Sequence, residues 1–226
     1  MKIFKNRFLC VFCDERHDTH EAHAVTGNIG ICSRCYETLN KTALSLPYEG
    51  VKNIAYIMAP FEYTGSIREV ILDYKFKGCR AYAPLLAQLM KDYIDSYPVW
   101  EEFDCIIPVP LHKKRMKERG YNQSELVARY ISEFTGVEMR TDLLTRERAT
   151  EKQSTLGRDN RLKNVRGAFK CEGDVSGKKI ILFDDICTTG STLRCAAEPL
   201  IEAGAKSVAA LTIAIHKTEK LSLAAY

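Results

Sequence analysis

Ile180-Ile181-Leu182-Phe183-Asp184-Asp185-Ile186-Cys187-Thr188-Thr189-Gly190-Ser191-Thr192 is the stretch that decides how this chain folds. Four apolar residues predict a buried strand, two carboxylates stand at its C-terminal end, a hydroxyl-rich loop with one glycine follows, and then a helix begins. In open parallel sheets ligands bind beyond the carboxyl ends of strands, so carboxylates and loop fall where a site is expected. Backbone N–H groups at a helix start, with the positive end of its dipole, favour a phosphate, and the hydroxyls of Thr188, Thr189, Ser191 and Thr192 add donors. Gly190 lets the backbone come close. Asp184 and Asp185 can accept from vicinal hydroxyls such as those of a ribose, and such oxygens suit Mg²⁺ held together with substrate phosphates. The plainer alternative is a strand end and an ordinary helix cap, but capping requires neither both carboxylates nor the hydroxyl run.

Outward from this segment the pattern repeats. Lys179–Phe183 reads as a strand, Gly190–Ala203 as a helix despite Pro199, and Ser207–Ile215 as a further strand. Upstream, Phe103–Val109 has the composition of a buried strand, the basic stretch 112–120 reads as a loop, and Asn122–Phe134 has helical apolar spacing. Gly65–Phe76 and Ala81–Tyr97 also read as helices, with Asn53–Tyr63 as an entry strand. Alternation of this kind predicts an α/β fold, a mainly parallel sheet flanked by helices.

The N-terminal end differs. Cys10-x2-Cys13 and Cys32-x2-Cys35 have the spacing of a structural zinc site, in which two knuckles supply a closed four-sulfur shell. A segment this short cannot build a sufficient apolar core, so the metal is expected to supply about 10–16 kcal/mol of folding energy. Two reduced or redox-active pairs are the competing reading. His17, His20 and His23, between the pairs, are left out of the ligand set. Leu46–Gly50 reads as a linker, which divides the chain into a zinc module at 1–47 and an α/β domain at 48–226.

At 226 residues and 46% hydrophobic, the chain can bury a full core. Nine cysteines, an odd count with irregular C-terminal spacing, argue against a secreted disulfide framework. With no signal-like apolar stretch and no run near the ~20 residues a membrane span needs, a cytoplasmic location without membrane insertion is expected. Net charge is +4 but uneven. Lys113, Lys114, Arg115, Lys117 and Arg119 against Glu118 give +4, and the 145–167 stretch gives another +4. Such segments suit a polyanion, whether a small phosphorylated molecule or nucleic acid, or are simply solvated faces.

The 180–192 segment is similar, through all thirteen positions, to the signature of type I phosphoribosyltransferases. Tyr74-Lys75-Phe76-Lys77-Gly78, Ile107-Pro108-Val109-Pro110-Leu111-His112 with Arg115, Arg119-Gly120-Tyr121-Asn122-Gln123, and Thr150, Gln153, Leu156, Arg161, Asn164 and Gly167-Ala168-Phe169 resemble the successive blocks of the ComF family. That family is associated with late competence and uptake of transforming DNA. The resemblance implies a type I phosphoribosyltransferase-like fold binding 5-phosphoribosyl-1-pyrophosphate (PRPP) with Mg²⁺. It places ribose 5-phosphate at Asp184 to Thr192, a pyrophosphate loop within Pro108 to Arg119, and a mobile lid from Thr145 to Asn164. Asp184, Asp185, Arg115 and Arg119 would be catalytic, and Lys75 would join Thr188, Thr189, Gly190, Ser191 and Thr192 in binding substrate. Arg161 is a further candidate to neutralise charge as the glycosidic bond breaks. The competing function is a non-catalytic scaffold that binds single-stranded DNA and a competence helicase. Few aromatic residues interleave the basic stretches, chiefly Tyr121 and Phe169, which disfavours base stacking. Cys187, at the start of the loop, is expected to be inert packing.

Overall fold

The computed structural model of the protein describes residues 7–42, 51–97, 99–148 and 166–216. It opens with a small sheet of β1 (Arg7–Cys10), β2 (Arg16–Asp18), β3 (Ala22–Thr26) and β4 (Ile29–Cys32), in the order β2-β1-β4-β3, followed by helix α1 (Ser33–Glu37). Phe8, Cys10 and Cys32 form this module's own small core. Ala24, Ile31 and Leu39 instead join the main core beside Met58 and Phe61. The expected boundary at 47/48 lies outside the described residues.

The remaining elements are β5 (Ile57–Met58), β6 (Phe61–Glu62), α2 (Gly65–Phe76), α3 (Tyr82–Asp95), β7 (Cys105–Pro108), α4 (Lys113–Arg119), α5 (Gln123–Thr135), β8 (Leu144–Arg146), β9 (Phe169–Cys171), β10 (Lys179–Cys187), α6 (Ser191–Glu202) and β11 (Ser207–Ile215). The central sheet is parallel throughout, in the order β5-β11-β10-β7, with β6 also on β11. Side-chain alternation splits the core in two. Ile181, Phe183, Ala209 and Leu211 pack with Ile67, Ile71, Leu86 and Ile131 of α2, α3 and α5. Ile180, Leu182, Val208 and Ala210 pack on the other face with Leu193 and Leu200 of α6 and with Leu144 and Phe169 of the antiparallel β8–β9 ribbon. Because both faces are covered, β10 and β11 are apolar along most of their length, and each large aliphatic side chain buried this way contributes about 1.5–3 kcal/mol. This is the expected α/β fold, a parallel sheet flanked by helices.

Four expectations need correction. The entry strand is not continuous. β5 and β6 keep one register against β11, with Ala210 opposite Ile57 and Ala214 opposite Phe61. They are interrupted at Ala59-Pro60, where proline has no N–H for the ladder. The Pro60 carbonyl accepts instead from Thr42 N–H at 2.9 Å. The basic stretch at 112–120 is not a loop but helix α4, begun by His112 Nδ1 accepting from Lys114 N–H at 3.2 Å and ended by Gly120 at φ 75°. β10 does not stop at Phe183 but runs to Cys187, because β11 pairs with it as far as Cys187 opposite Ile215. The stretch expected as a lid starts in strand β8, held by Arg146 opposite Phe169. Residues 149–165 of that stretch, including Thr150, Gln153, Leu156, Arg161 and Asn164, lie outside the described residues.

Candidate functional site

The cleft arises from unequal strand lengths. β7 pairs with β10 only from Ile180 opposite Cys105 to Phe183 opposite Pro108. Val109 N–H then bonds Phe183 O at 2.8 Å, and the chain turns away into α4. Beyond that point, at Asp184 and Asp185, this edge of β10 has no strand partner among the described residues. The resulting cleft has a volume of about 480 Å³. It is lined by Asp184, Asp185, Thr188, Thr189, Gly190, Ser191 and Thr192, by Lys75 from α2, and by Arg115 and Arg119 from α4. The structure thus brings to one place every residue expected at the ribose and phosphate end.

Each wall has a local cause. Gly190, at φ 70°, stands before α6, and a Cβ there would come within 2.5 Å of Val51 Cγ2, so no other residue fits without displacement. Thr189 Oγ1 and Ser191 Oγ lie 2.8 Å apart, tightening the turn that presents the first N–H groups of α6. Arg115 and Arg119 are four residues apart on α4, so both turn to the cleft while Lys113, Lys114 and Lys117 are exposed. Arg119 Nη1 donates to Gln123 Oε1 at 2.9 Å, and its guanidinium lies 5.3 Å from the Phe76 ring. Arg80 Nη2 donates to Gly120 O at 2.9 Å, securing the end of α4.

The carboxylates differ in their surroundings. Lys75 Nζ lies 2.8 Å from Asp185 Oδ1. Asp184 Oδ1 accepts from Ser124 Oγ at 3.0 Å and from Asp185 N–H at 2.9 Å. Burial, then the charge of Asp185, pushes the Asp184 carboxyl up to about 7, against the pull of Lys75 and the two donors. Arg115 is held below the usual range by burial and then by Arg119. Cys187 is buried, and burial holds its thiol up to about 12, as fits inert packing.

Sequence reasoning missed two groups. Ser124 follows directly on the Arg119–Gln123 block; the signal was Asn122, whose side chain starts α5 by accepting from Ser124 N–H and ties it to Val109 O at 3.1 Å. Arg146 lies in the basic stretch 145–167, whose charge alone suits either a polyanion or a solvated face and singles out no residue; it is only 8% exposed, lines the cleft and lies 5.1 Å from the Phe169 ring. Burial, then the charge of Arg115, lowers it to about 10, while Asp184 opposes the shift. Among the described residues the cleft therefore carries four cationic side chains, Lys75, Arg115, Arg119 and Arg146, against the carboxylates of Glu118, Asp184 and Asp185. Such a wall can hold a ligand bearing several phosphate charges.

The four cysteines form a second site. Cys10 and Cys32 end the parallel neighbours β1 and β4, and the turn carrying Cys13 is closed by Asp14 at φ 61° with its N–H on Cys10 O at 2.9 Å. The sulfurs of Cys10, Cys13, Cys32 and Cys35 all lie within 4.8 Å of one another. Four thiolates this close repel unless a cation stands between them, so the set can hold a metal ion. His17, left out of the ligand set from sequence, lies with Nε2 3.3 Å from Cys13 Sγ. His23 is elsewhere, stacked on Tyr36. No helix among the described residues is long and apolar enough to cross a membrane.

Residues 87–224 match the phosphoribosyl transferase domain family. A DNA utilization protein YhgH of Salmonella typhi is 37% identical over 201 residues, covering 83% of this chain and 85% of that protein. YhgH of Escherichia coli O157:H7 is 38% identical over 105 residues, 46% of each chain, so the match spans about half the length of that curated relative. Competence protein ComFC of Streptococcus pneumoniae is 33% identical over 150 residues, 66% of this chain and 64% of that protein.

Proposed function

Because the chain belongs to the phosphoribosyl transferase domain family, in its ComF-like branch, we propose that it binds PRPP with Mg²⁺ and acts in natural competence and DNA uptake from the cytoplasm. One observation carries the binding reading. The N-terminus of α6, the Asp184-Asp185 pair and the guanidinium groups of Arg115 and Arg146 line one cleft, as a ligand with a phosphate at one end, a ribose in the middle and a pyrophosphate at the other requires. In this reading the amides and hydroxyls of Thr188 to Thr192 take the 5-phosphate, Asp184 and Asp185 accept from the ribose hydroxyls, and the arginines face the pyrophosphate.

The carboxylates also suit a cation, since the Lys75 ammonium already stands at hydrogen-bond distance from Asp185. Asp184 and Asp185 are the residues that would hold Mg²⁺, which neutralises charge on a departing pyrophosphate. Arg115 and Arg119 would stabilise the charge that develops as the bond from ribose C1′ to pyrophosphate oxygen breaks and a nucleophilic acceptor bonds to C1′. The domain organisation proposed with this is a structural module to residue 47 and the phosphoribosyltransferase-like domain from 48. Cys10, Cys13, Cys32 and Cys35 are proposed to hold zinc, because a closed set of four sulfurs suits a tetrahedral structural ion and leaves no open position.

Calorimetric titration of PRPP with Mg²⁺ into wild type and Asp184→Asn/Asp185→Asn tests the reading. Binding by wild type, weakened at least about tenfold in the variant, supports it; no binding by folded wild type overturns it. A second reading, direct contact with single-stranded DNA and with it a scaffold beside a helicase, is favoured by exposed Lys113, Lys114 and Lys117 on α4 and by the names of the relatives. If it holds, DNA affinity falls steeply with salt, and removing the three lysines flattens that slope by about two to three.

A further inference from the structure

A phosphoribosyl site does not by itself account for the cation at its centre. Lys75 comes from the last turn of α2, and its Nζ meets Asp185 Oδ1 at 2.8 Å with side chains only 20% and 9% exposed. Asp185 falls on the same face of β10 as Ile181 and Phe183, the face that α2 covers, so the pairing is fixed by the fold rather than by a chance surface rotamer. The other charged groups around it are Asp184 on β10, Arg115, Glu118 and Arg119 on α4, and Arg146 on β8. Of these, Asp184 is taken by Ser124 Oγ and the Asp185 N–H, and Arg119 is tied to Gln123.

We infer that the Lys75 ammonium is a built-in counter-cation, which competes with a divalent metal for Asp185 and releases that carboxylate when a pyrophosphate arrives to receive it. The inference rests on the phosphoribosyl reading given above. Two adjacent carboxylates in a partly dry cleft would otherwise collect a hard cation from the medium, because each supplies oxygen ligands and their charges add. An ammonium held at one of them cancels a charge and fills an oxygen's coordination direction. The flexible four-carbon stem of lysine lets the charge move several ångströms while α2 stays in place. Metal and polyanion therefore enter together, and each raises the affinity of the other. Lys75 acts through the carboxylate it covers before the ligand arrives and faces the pyrophosphate afterwards.

Mn²⁺ is the probe, followed by the paramagnetic resonance of the free ion, with the full chain and its cysteine-bound metal intact. Wild type is expected to bind Mn²⁺ weakly alone, and PRPP to raise that affinity at least about tenfold. Lys75→Gln is expected to bind Mn²⁺ alone at least about tenfold more tightly than wild type, with a smaller further gain from PRPP. Lys75→Met gives the same result and covers poor folding of the glutamine variant. Lys75→Arg, which keeps the charge, keeps the weak binding. Lys75→Gln/Asp185→Asn loses the gain, placing the ion at Asp185. Equal Mn²⁺ affinity in folded wild type, Lys75→Gln and Lys75→Met overturns the inference. A gain in Lys75→Gln with no response to PRPP in any protein overturns the phosphoribosyl reading and leaves the competition at Asp185 standing.

Discussion

Replacing Asp184 by asparagine removes a charge from the cleft while preserving its hydrogen bonds, since an amide Oδ1 can still accept from Ser124 Oγ and from the Asp185 N–H. In the folded protein this carboxyl titrates near 7, raised by burial and then by Asp185. In the unfolded chain it titrates near ~3.9. The folded state therefore holds the proton more tightly, and the sign follows. Below about pH 4 the group contributes no difference; stability falls as pH rises from there to about 7, and above that the full penalty applies. Three pH units correspond to about 4 kcal/mol, which water at this partly exposed carboxyl reduces to about 2 kcal/mol. Urea unfolding at about pH 6 and about pH 8.5 samples the upper part of this window, where a metal held by the four cysteines would stay bound. Asp184→Asn should be the more stable protein at both, and its advantage should widen by about 0.5–1 kcal/mol at the higher pH. An advantage of constant size, or a deficit that grows with pH, would refute the reasoning that the cleft stores unfavourable charge for its ligand.

Gly190→Ala forces a Cβ to within 2.5 Å of Val51 Cγ2 at a left-handed φ of 70°; it should cost about 1–3 kcal/mol in thermal melts and weaken PRPP binding by moving the loop. Cys32→Ser should lose the metal, read by elemental analysis. It should also lower the melting temperature of the whole chain, because Ile31 and Leu39 belong to the main core. Tyr74→Phe removes the bond from Tyr74 Oη to Gln123 O at 2.9 Å and should cost about 1 kcal/mol, measured by urea unfolding.

What was legible in the sequence is what local pattern controls. The bounds of α2 at Gly65–Phe76 followed from its helical apolar periodicity, and those of β11 at Ser207–Ile215 from a nearly unbroken apolar run, because α2 buries one side and β11 both faces. β10 was read too short because Asp184 and Asp185 break its apolar run, whereas the ladder to β11 that carries it on to Cys187 is a tertiary fact. α4 was hidden by its own charge. Its run of like charges reads as a basic loop, and the spacing of Arg115 and Arg119 carried the helical signal. The loop from Thr188 to Thr192 is contiguous and so could be found, but Ser124 and Arg146 reach the cleft from α5 and β8, and only the folded sheet brings them there. The Lys75–Asp185 contact spans more than a hundred residues and has no local signature at all.

The most direct measurement is the crystal structure of the zinc-loaded protein with PRPP and Mg²⁺. The account predicts the 5-phosphate on the amides and hydroxyls of Thr188 to Thr192, the ribose hydroxyls on Asp184 and Asp185, and the pyrophosphate facing Arg115 with Lys75 turned toward it. A ligand seated outside this cleft, or a cleft left empty at saturating PRPP, would contradict it.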